Sequence, residues 1–296
     1  DVIVLNNKAS LIRKIQFFMR LRKSKYDLVL LPFDSQPIFL IFGSYISNIK
    51  KRVMHLLMHK KKRSIFSILM PWTLCVQVLP NRHEIDLNYD LFEFYLNKPM
   101  RRQYHTFVNI DKDENVLHRF QLRKHKYIVV QVGAANGAKS AKKWSIDNFK
   151  GLIGKINTNY PDYQVTLVGD LADYQNDIKS LEGVGLDFIN TAGLTSINEV
   201  VNLLYFSELV VSHDSGIMHL ANALNCNLIA LYGPTDYTRT RPLGQKSTIL
   251  YSKTSGFCKM YNFGGNEIDL HHQFPNCMDG ITVKNVMDEV DKLIGE

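Results

Sequence analysis

The chain has 296 residues, enough for two domains of ordinary size, and 45% hydrophobic with 22% charged residues is the composition of a globular protein. No apolar run reaches the roughly 18 residues that a membrane-crossing helix needs; the nearest, 28–44, is broken by Pro32, Asp34 and Pro37. Charge is divided unevenly, since residues 1–126 hold 23 Lys/Arg and 10 Asp/Glu, a net of +13, whereas residues 127–296 hold 13 and 18, a net of −5.

That imbalance directs the first half toward an anionic partner, whether phospholipid, phosphorylated glycolipid or nucleic acid. The clusters Lys50-Lys51-Arg52, Lys60-Lys61-Lys62-Arg63 and Arg101-Arg102 favour this over a merely solvated surface. They lack the interleaved aromatic residues of a nucleic-acid module, so no nucleic-acid partner is expected. Four widely spaced cysteines, Cys75, Cys226, Cys258 and Cys277, contain no CxxC pair and fit a reducing cytoplasm; a Cys258–Cys277 link stays open.

In chain order, DVIVL (1–5) reads at once as a buried strand, with no targeting signal before it. A helix follows near 10–23, then the strand YDLVLLPF (26–33), a helix near 37–47 and a strand at 52–57. The polar stretch 108–126 interrupts the pattern and predicts two domains, 1–115 and 116–296. Beyond it the alternation is regular. YIVVQV (127–132) is a strand, SIDNFKGLIGKI (145–156) a helix, and Pro161-Asp162 turns the chain into YQVTLVG (163–169). A helix near 173–181, a strand at 188–190 and a helix opened by the capping-box spacing Ser196-x-x-Glu199 come next. ELVVSH (208–213), a helix over 216–224 and NLIALYG (227–233) complete the series. Strands apolar on both faces, alternating with helices, predict parallel sheets covered on both sides: an α/β chain of two doubly wound, Rossmann-like domains.

A polar knot, His213-Asp214-Ser215-Gly216, stands where one of these strands hands over to a helix, the place where doubly wound domains bind ligands. Gly216 lets backbone approach a ligand, and the first free N–H groups of the helix can face an anion such as a diphosphate. Asp214 can instead serve only as the helix N-cap, and His219, one turn in, can be an interior histidine.

DSGIMHLANALNCNLIALYGPTD (214–236) resembles the Asp-[Ser/Thr]-Gly-x-Met-His-x-Ala-x-Ala-Leu…[Phe/Tyr]-Gly-Pro-[Thr/Ser] signature of the heptosyltransferase-like glycosyltransferases, family 9. VGAANGAKSAKKWSIDNF (132–149) is similar to the family's segment ending in Lys-x-Trp-Pro, with Lys142 and Trp144 retained and Ser145 replacing Pro. TAGLTSINEVVNLL (191–204), CMDGITVKNV (277–286) and, less specifically, residues 26–53 and HEID (83–86) extend the match over nearly the whole chain.

The resemblance implies the two-lobed GT-B fold, with the second lobe binding a nucleotide-diphospho-sugar, ADP-heptose being the family default, and the first receiving the acceptor. Carried over by position, Lys142 neutralises the donor diphosphate, Asp214, Ser215 and Gly216 hold the phosphates and sugar beside His219, and Asp173 holds the ribose. Lys60, Lys61, Lys62 and Arg63 face the acceptor or membrane. The implied function is inverting, metal-independent transfer of a sugar to a lipopolysaccharide or lipooligosaccharide core acceptor, by a cytoplasmic monomer peripheral to the inner face of the cytoplasmic membrane. No cofactor is implied; His55/His59 and His271-His272 have no acidic partner in metal-binding spacing.

The chain departs from the family at its start, where DVIVL corresponds to a later strand, so that about 50 residues of the doubly wound first domain have no counterpart. They include the Gly-Asp loop whose aspartate acts as general base, which would lie upstream of Asp1; Asp34 is the internal candidate. The alternative function is a non-catalytic nucleotide-sugar-binding protein that has lost this base.

Overall fold

The computed structural model describes residues 9–32, 38–56, 73–78, 82–104, 106–133, 142–252 and 278–295. The expected opening strand, Asp34, His59, Lys60 to Arg63, Cys258, His271-His272 and Cys277 lie outside them. The chain divides into two compact units, one running to Gln103 and the other beginning at Tyr104.

In the first unit, β1 (Leu28–Leu31), β2 (Lys51–Leu56) and β3 (Thr73–Gln77) form a parallel sheet in that order. Helix α1 (Leu11–Lys23) packs against α2 (Ile38–Ile46) through Phe18, whose ring lies on Gly43 so closely that any Cβ there would overlap it. Helix α3 (Glu84–Leu96) is capped by His83, whose Nδ1 accepts the Ile85 N–H, and ends at Asn97 in the left-handed region, φ 50°. His55 ties β2 to α3 by donating from Nε2 to the Leu87 carbonyl at 2.8 Å.

One arginine from each of two basic clusters is engaged inside this unit, while Lys50, Lys51 and Arg101 are exposed. Arg52 is buried with its guanidinium 3.6 Å from the Tyr45 ring centre, and its Nε donates to Ser44. Arg102 meets three carboxylates of α3, Asp86 at 2.7 Å and Asp90 and Glu93 at 2.9 Å, while Arg82 shares the same Asp90 oxygen at 2.9 Å.

The second unit has six parallel strands: β4 (Tyr127–Gln131), β5 (Gln164–Val168), β6 (Ile189–Asn190), β7 (Leu209–His213), β8 (Leu228–Tyr232) and β9 (Ser247–Tyr251), in spatial order β6-β5-β4-β7-β8-β9. Every residue of β4, β7 and β8 is buried, as strands covered on both faces require. Alternation sorts their side chains. Ile128, Val130, Leu209, Val211, Ile229 and Leu231 enter one core with α5 (Ile146–Asn159) and α10 (Val283–Ile294). Tyr127, Val129, Val210, Ala230 and Tyr232 enter the other with α4 (Asn115–Arg119), α7 (Ile197–Tyr205) and α8 (Gly216–Ala223). Residues 104–126 belong to this unit, with Val116, Leu117 and Leu122 in its second core. Helix α6 (Leu171–Asn176) starts earlier than the sequence predicts because Asp170 and Asp173 form a reciprocal capping box, and a 3-10 turn continues it over Ile178–Leu181. The short α9 (Tyr237–Thr240) follows β8.

Tyr127 is fully buried and donates its hydroxyl to the Leu203 carbonyl, in the last turn of α7, at 2.6 Å. Tyr127→Phe leaves that carbonyl in the core without this donor, and urea unfolding should show a loss of about 1–3 kcal/mol with an unchanged m-value. A loss within error of zero would mean that another donor reaches Leu203.

Candidate donor site at the strand ends

The spatial order of the second sheet reverses between its two central strands. From β4 the chain proceeds to β5 on one side, and from β7 to β8 on the other, the switch in strand order at whose carboxyl ends open α/β sheets bind ligands. The residues closing those strands are polar. Gln131 ends β4, and Ser212 and His213 end β7.

They form a hydrogen-bonded floor. Gln131 Oε1 accepts from Ser212 Oγ at 2.5 Å and from Ser215 Oγ at 2.6 Å, and the two hydroxyls lie 3.2 Å apart. Ser215 is the N-cap of α8, its Oγ accepting the Met218 N–H. Asp214 is therefore not the cap. Its carboxylate, 8% exposed, turns to Lys142, with Oδ2 2.8 Å from Nζ. Gly216, the first residue of α8, is exposed, and a Cβ there would meet no atom of the described residues within 4 Å. His219 is exposed rather than interior.

Lys142 is followed by a second lysine that reaches the other way. Lys143 Nζ pairs with Asp177 at 2.6 Å, just beyond α6. Asp173, in the first turn of α6, accepts the Asp170 N–H at 3.0 Å and lies against the backbone of Gly133 and Gly169, where a Cβ on either glycine would overlap it. Burial raises the Asp173 pKa and the Asp170 N–H bond opposes this; Asp170 and Asp177 raise it further, against Lys143. Two of the residues expected from the sequence, Lys142 and Asp214, are thus in direct contact, Ser215, Gly216 and His219 follow on the same turn and helix, and Asp173 sits at the end of β4 beside Gly133.

Sequence reasoning passed over Gln131, Lys143 and His213. The first interrupts an otherwise apolar strand, which was a usable signal. His213 was visible only as the first member of the polar knot. Its ring is fully buried, with Nε2 accepting the Trp144 N–H at 3.0 Å and Phe149 edge-on at 5.5 Å. Trp144 in turn donates its indole N–H to the Ile281 carbonyl at 2.7 Å. Among the described residues, no three His, Cys, Asp or Glu side chains converge so as to hold a metal ion.

Burial pushes the His213 pKa down to about 4; the Gly133 backbone and Asp214 oppose this, and Lys143 and Lys142 reinforce it. The unfolded chain takes up this proton near pH 6.5, the folded one only near pH 4, so the folded state is at full stability above pH 6.5 and loses it as pH falls toward 4. The full loss is about 3 kcal/mol. Urea midpoints measured between pH 7 and pH 4.5 should therefore fall more steeply for the parent than for His213→Gln, which has no proton to gain. Parallel curves would assign the acid sensitivity to other groups.

Comparison with known proteins accords with this geometry. The model of glycosyltransferase family 9 (heptosyltransferase) matches residues 15–261. Lipooligosaccharide heptosyltransferase 2 of Haemophilus influenzae is 36% identical over 125 residues, 40% of this chain and 36% of that protein. Lipopolysaccharide heptosyltransferase 2 of Escherichia coli K12 is 30% identical over 169 residues, 55% of this chain and 46% of that protein. The chain thus matches less than half the length of either relative. Two solved structures share the fold: a family 9 glycosyl transferase of Veillonella parvula, with TM-score 0.74 and 16% identity over 98% of this chain and 81% of that one, and E. coli ADP-heptose LPS heptosyltransferase II, with TM-score 0.65 and 22% identity over 96% and 81%. A parallel α/β architecture, the signature helix start with its lysine partner, and a match over residues 15–261 together show that the chain belongs to glycosyltransferase family 9.

Proposed function

We propose that the protein transfers a heptose from ADP-heptose to a lipopolysaccharide or lipooligosaccharide core acceptor, and that its second unit, from Tyr104 onward, binds the donor. The observation that carries this reading is the Lys142–Asp214 pair beside the open backbone of Gly216 at the start of α8. Among the described residues no atom lies within 4 Å of where a Cβ on Gly216 would sit, and both the ammonium and the helix start favour an anion there. A heptosyltransferase of E. coli with a similar fold has been solved with ADP.

In the proposed reaction an acceptor hydroxyl attacks the anomeric carbon from the face opposite the diphosphate. The bond from that carbon to the β-phosphate oxygen breaks, its electron pair leaves with ADP, and the hydroxyl proton passes to a general base, inverting the anomeric centre. Lys142 exchanges Asp214 for the departing diphosphate, and the N–H groups at the start of α8 share the charge, the part that a metal ion plays in other transferases. Asp214, released from the lysine, is free to accept a sugar hydroxyl beside His219, and the Asp173 carboxyl has acceptor capacity left for the ribose. The general base is not assigned to any described carboxylate, and Asp34 lies outside the described residues.

Acceptor and anionic membrane surface fall to the basic first unit. With Arg52 and Arg102 engaged internally, that role rests on Lys60, Lys61, Lys62 and Arg63, outside the described residues. No described helix is long and apolar enough to cross a membrane, and the proposed location is peripheral, on the cytoplasmic face, as a monomer.

Calorimetry with ADP and ADP-heptose tests the donor site. Lys142→Ala should weaken both by about 1.5–3 kcal/mol, the range for a hydrogen bond to a charged group. A folded variant that binds as tightly as the parent would remove Lys142 from the site. Incubation with ADP-heptose and heptose-free core lipopolysaccharide, read by mass spectrometry, tests transfer. Activity should survive EDTA, and loss on chelation with recovery on adding a divalent ion would overturn the metal-independent step.

A further inference from the structure

The donor reading leaves one buried group without a task. His213 is fully buried, at the last position of β7, immediately before Asp214. Its Nε2 accepts the Trp144 N–H, so Nε2 has no proton and Nδ1 carries it, facing the Gly133 backbone without a close hydrogen-bond partner among the described residues.

This ring joins two stretches that are far apart in sequence. One holds Lys142, Lys143 and Trp144; the other holds His213 and Asp214. Among the described residues they meet through two residue pairs, Lys142 with Asp214 and Trp144 with His213. The other holds on the lysine segment come from elsewhere: Lys143 on Asp177, the Trp144 indole on Ile281, and Trp144 edge-on to Phe149 at 5.1 Å. On the proposed reaction path the first of the two pairs is given up, because the ammonium leaves Asp214 for the diphosphate. Among the described residues, the Trp144–His213 bond is then what binds the lysine segment directly to the strand that carries the start of α8.

We propose that His213 is a positioning residue: by accepting the Trp144 N–H it keeps the Lys142 segment in register with the start of α8, so that the ammonium meets a nucleoside diphosphate bound there. The proposal rests on the donor-site reading. It requires an acceptor at the Nε2 position, which a glutamine side chain can reproduce and the shorter asparagine cannot.

The test is a set of variants with ADP as the calorimetric probe. His213→Asn should weaken ADP binding about tenfold, the size of one lost hydrogen bond, and His213→Gln should recover most of that loss. The double variant with Lys142→Ala should bind no more weakly than Lys142→Ala alone, because a residue that acts through Lys142 has nothing left to position. If Lys142→Ala binds ADP like the parent, the donor-site reading falls and the proposal with it. Should Lys142→Ala weaken binding while the His213→Asn loss is absent or adds in full, only the positioning role falls. Histidine nitrogen NMR of the parent chain provides a check that needs no variant. A protonated Nδ1 and bare Nε2 on His213 are expected, and a proton on Nε2 overturns the proposal, since that nitrogen could not then accept from Trp144.

Discussion

The pairing of β4 with β7 sets the arrangement of everything around it. Ile128, Val129 and Val130 lie in register with Leu209, Val210 and Val211, and the two strands run parallel although some 80 residues separate them in sequence. Both are buried along their length, so a polar group on either needs a partner, as the Tyr127 hydroxyl has in the Leu203 carbonyl, and the remaining polar side chains gather at the carboxyl ends. At that end the connections part, one toward β5 and one toward β8. Parallel strands cannot be joined by a tight turn, and Gln131, Ser212 and Ser215 satisfy one another between the two strand ends. The site follows from how the sheet is wound, and its floor from the need to pair buried polar atoms.

Above that floor, charge is set out in two opposed pairs on one short segment. Lys142 faces Asp214 and Lys143 faces Asp177, each lysine less than a quarter exposed. Removing one partner of so enclosed a pair leaves an uncompensated charge. A ligand phosphate is the kind of group that can replace the aspartate at Lys142 without that penalty. The neutral state of His213 belongs to the same pattern, since a further positive charge beside two lysines is disfavoured by its neighbours as well as by burial.

Most of the second unit was readable in advance because strands covered on both faces must be apolar runs and their helices must be amphipathic. The 127–132, 163–169, 208–213 and 227–233 stretches carried that pattern and became β4, β5, β7 and β8. The first unit was harder to read. Helix α3 buries Leu87 and Leu91 yet exposes Phe92, Phe94 and Leu96, which blurs its period. At the site, the motif residues on the α8 turn were legible as a local pattern. What Lys142 and His213 touch was not, because their partners lie 72 and 69 residues away and no local spacing encodes such a contact.

Glycine occurs at the site for two different physical reasons. At Gly133 the neighbouring Asp173 carboxyl occupies the space that a Cβ would need, so a side chain there disturbs the folded protein whether or not a ligand is present. At Gly216 none of the described residues enters that space, and an alanine would meet no atom of theirs. A survey of variants scored by abundance would mark the first position as intolerant and pass over the second. One scored by nucleotide capture would mark both, and the difference between the two maps would outline the part of the surface that is shaped for a ligand rather than for the fold.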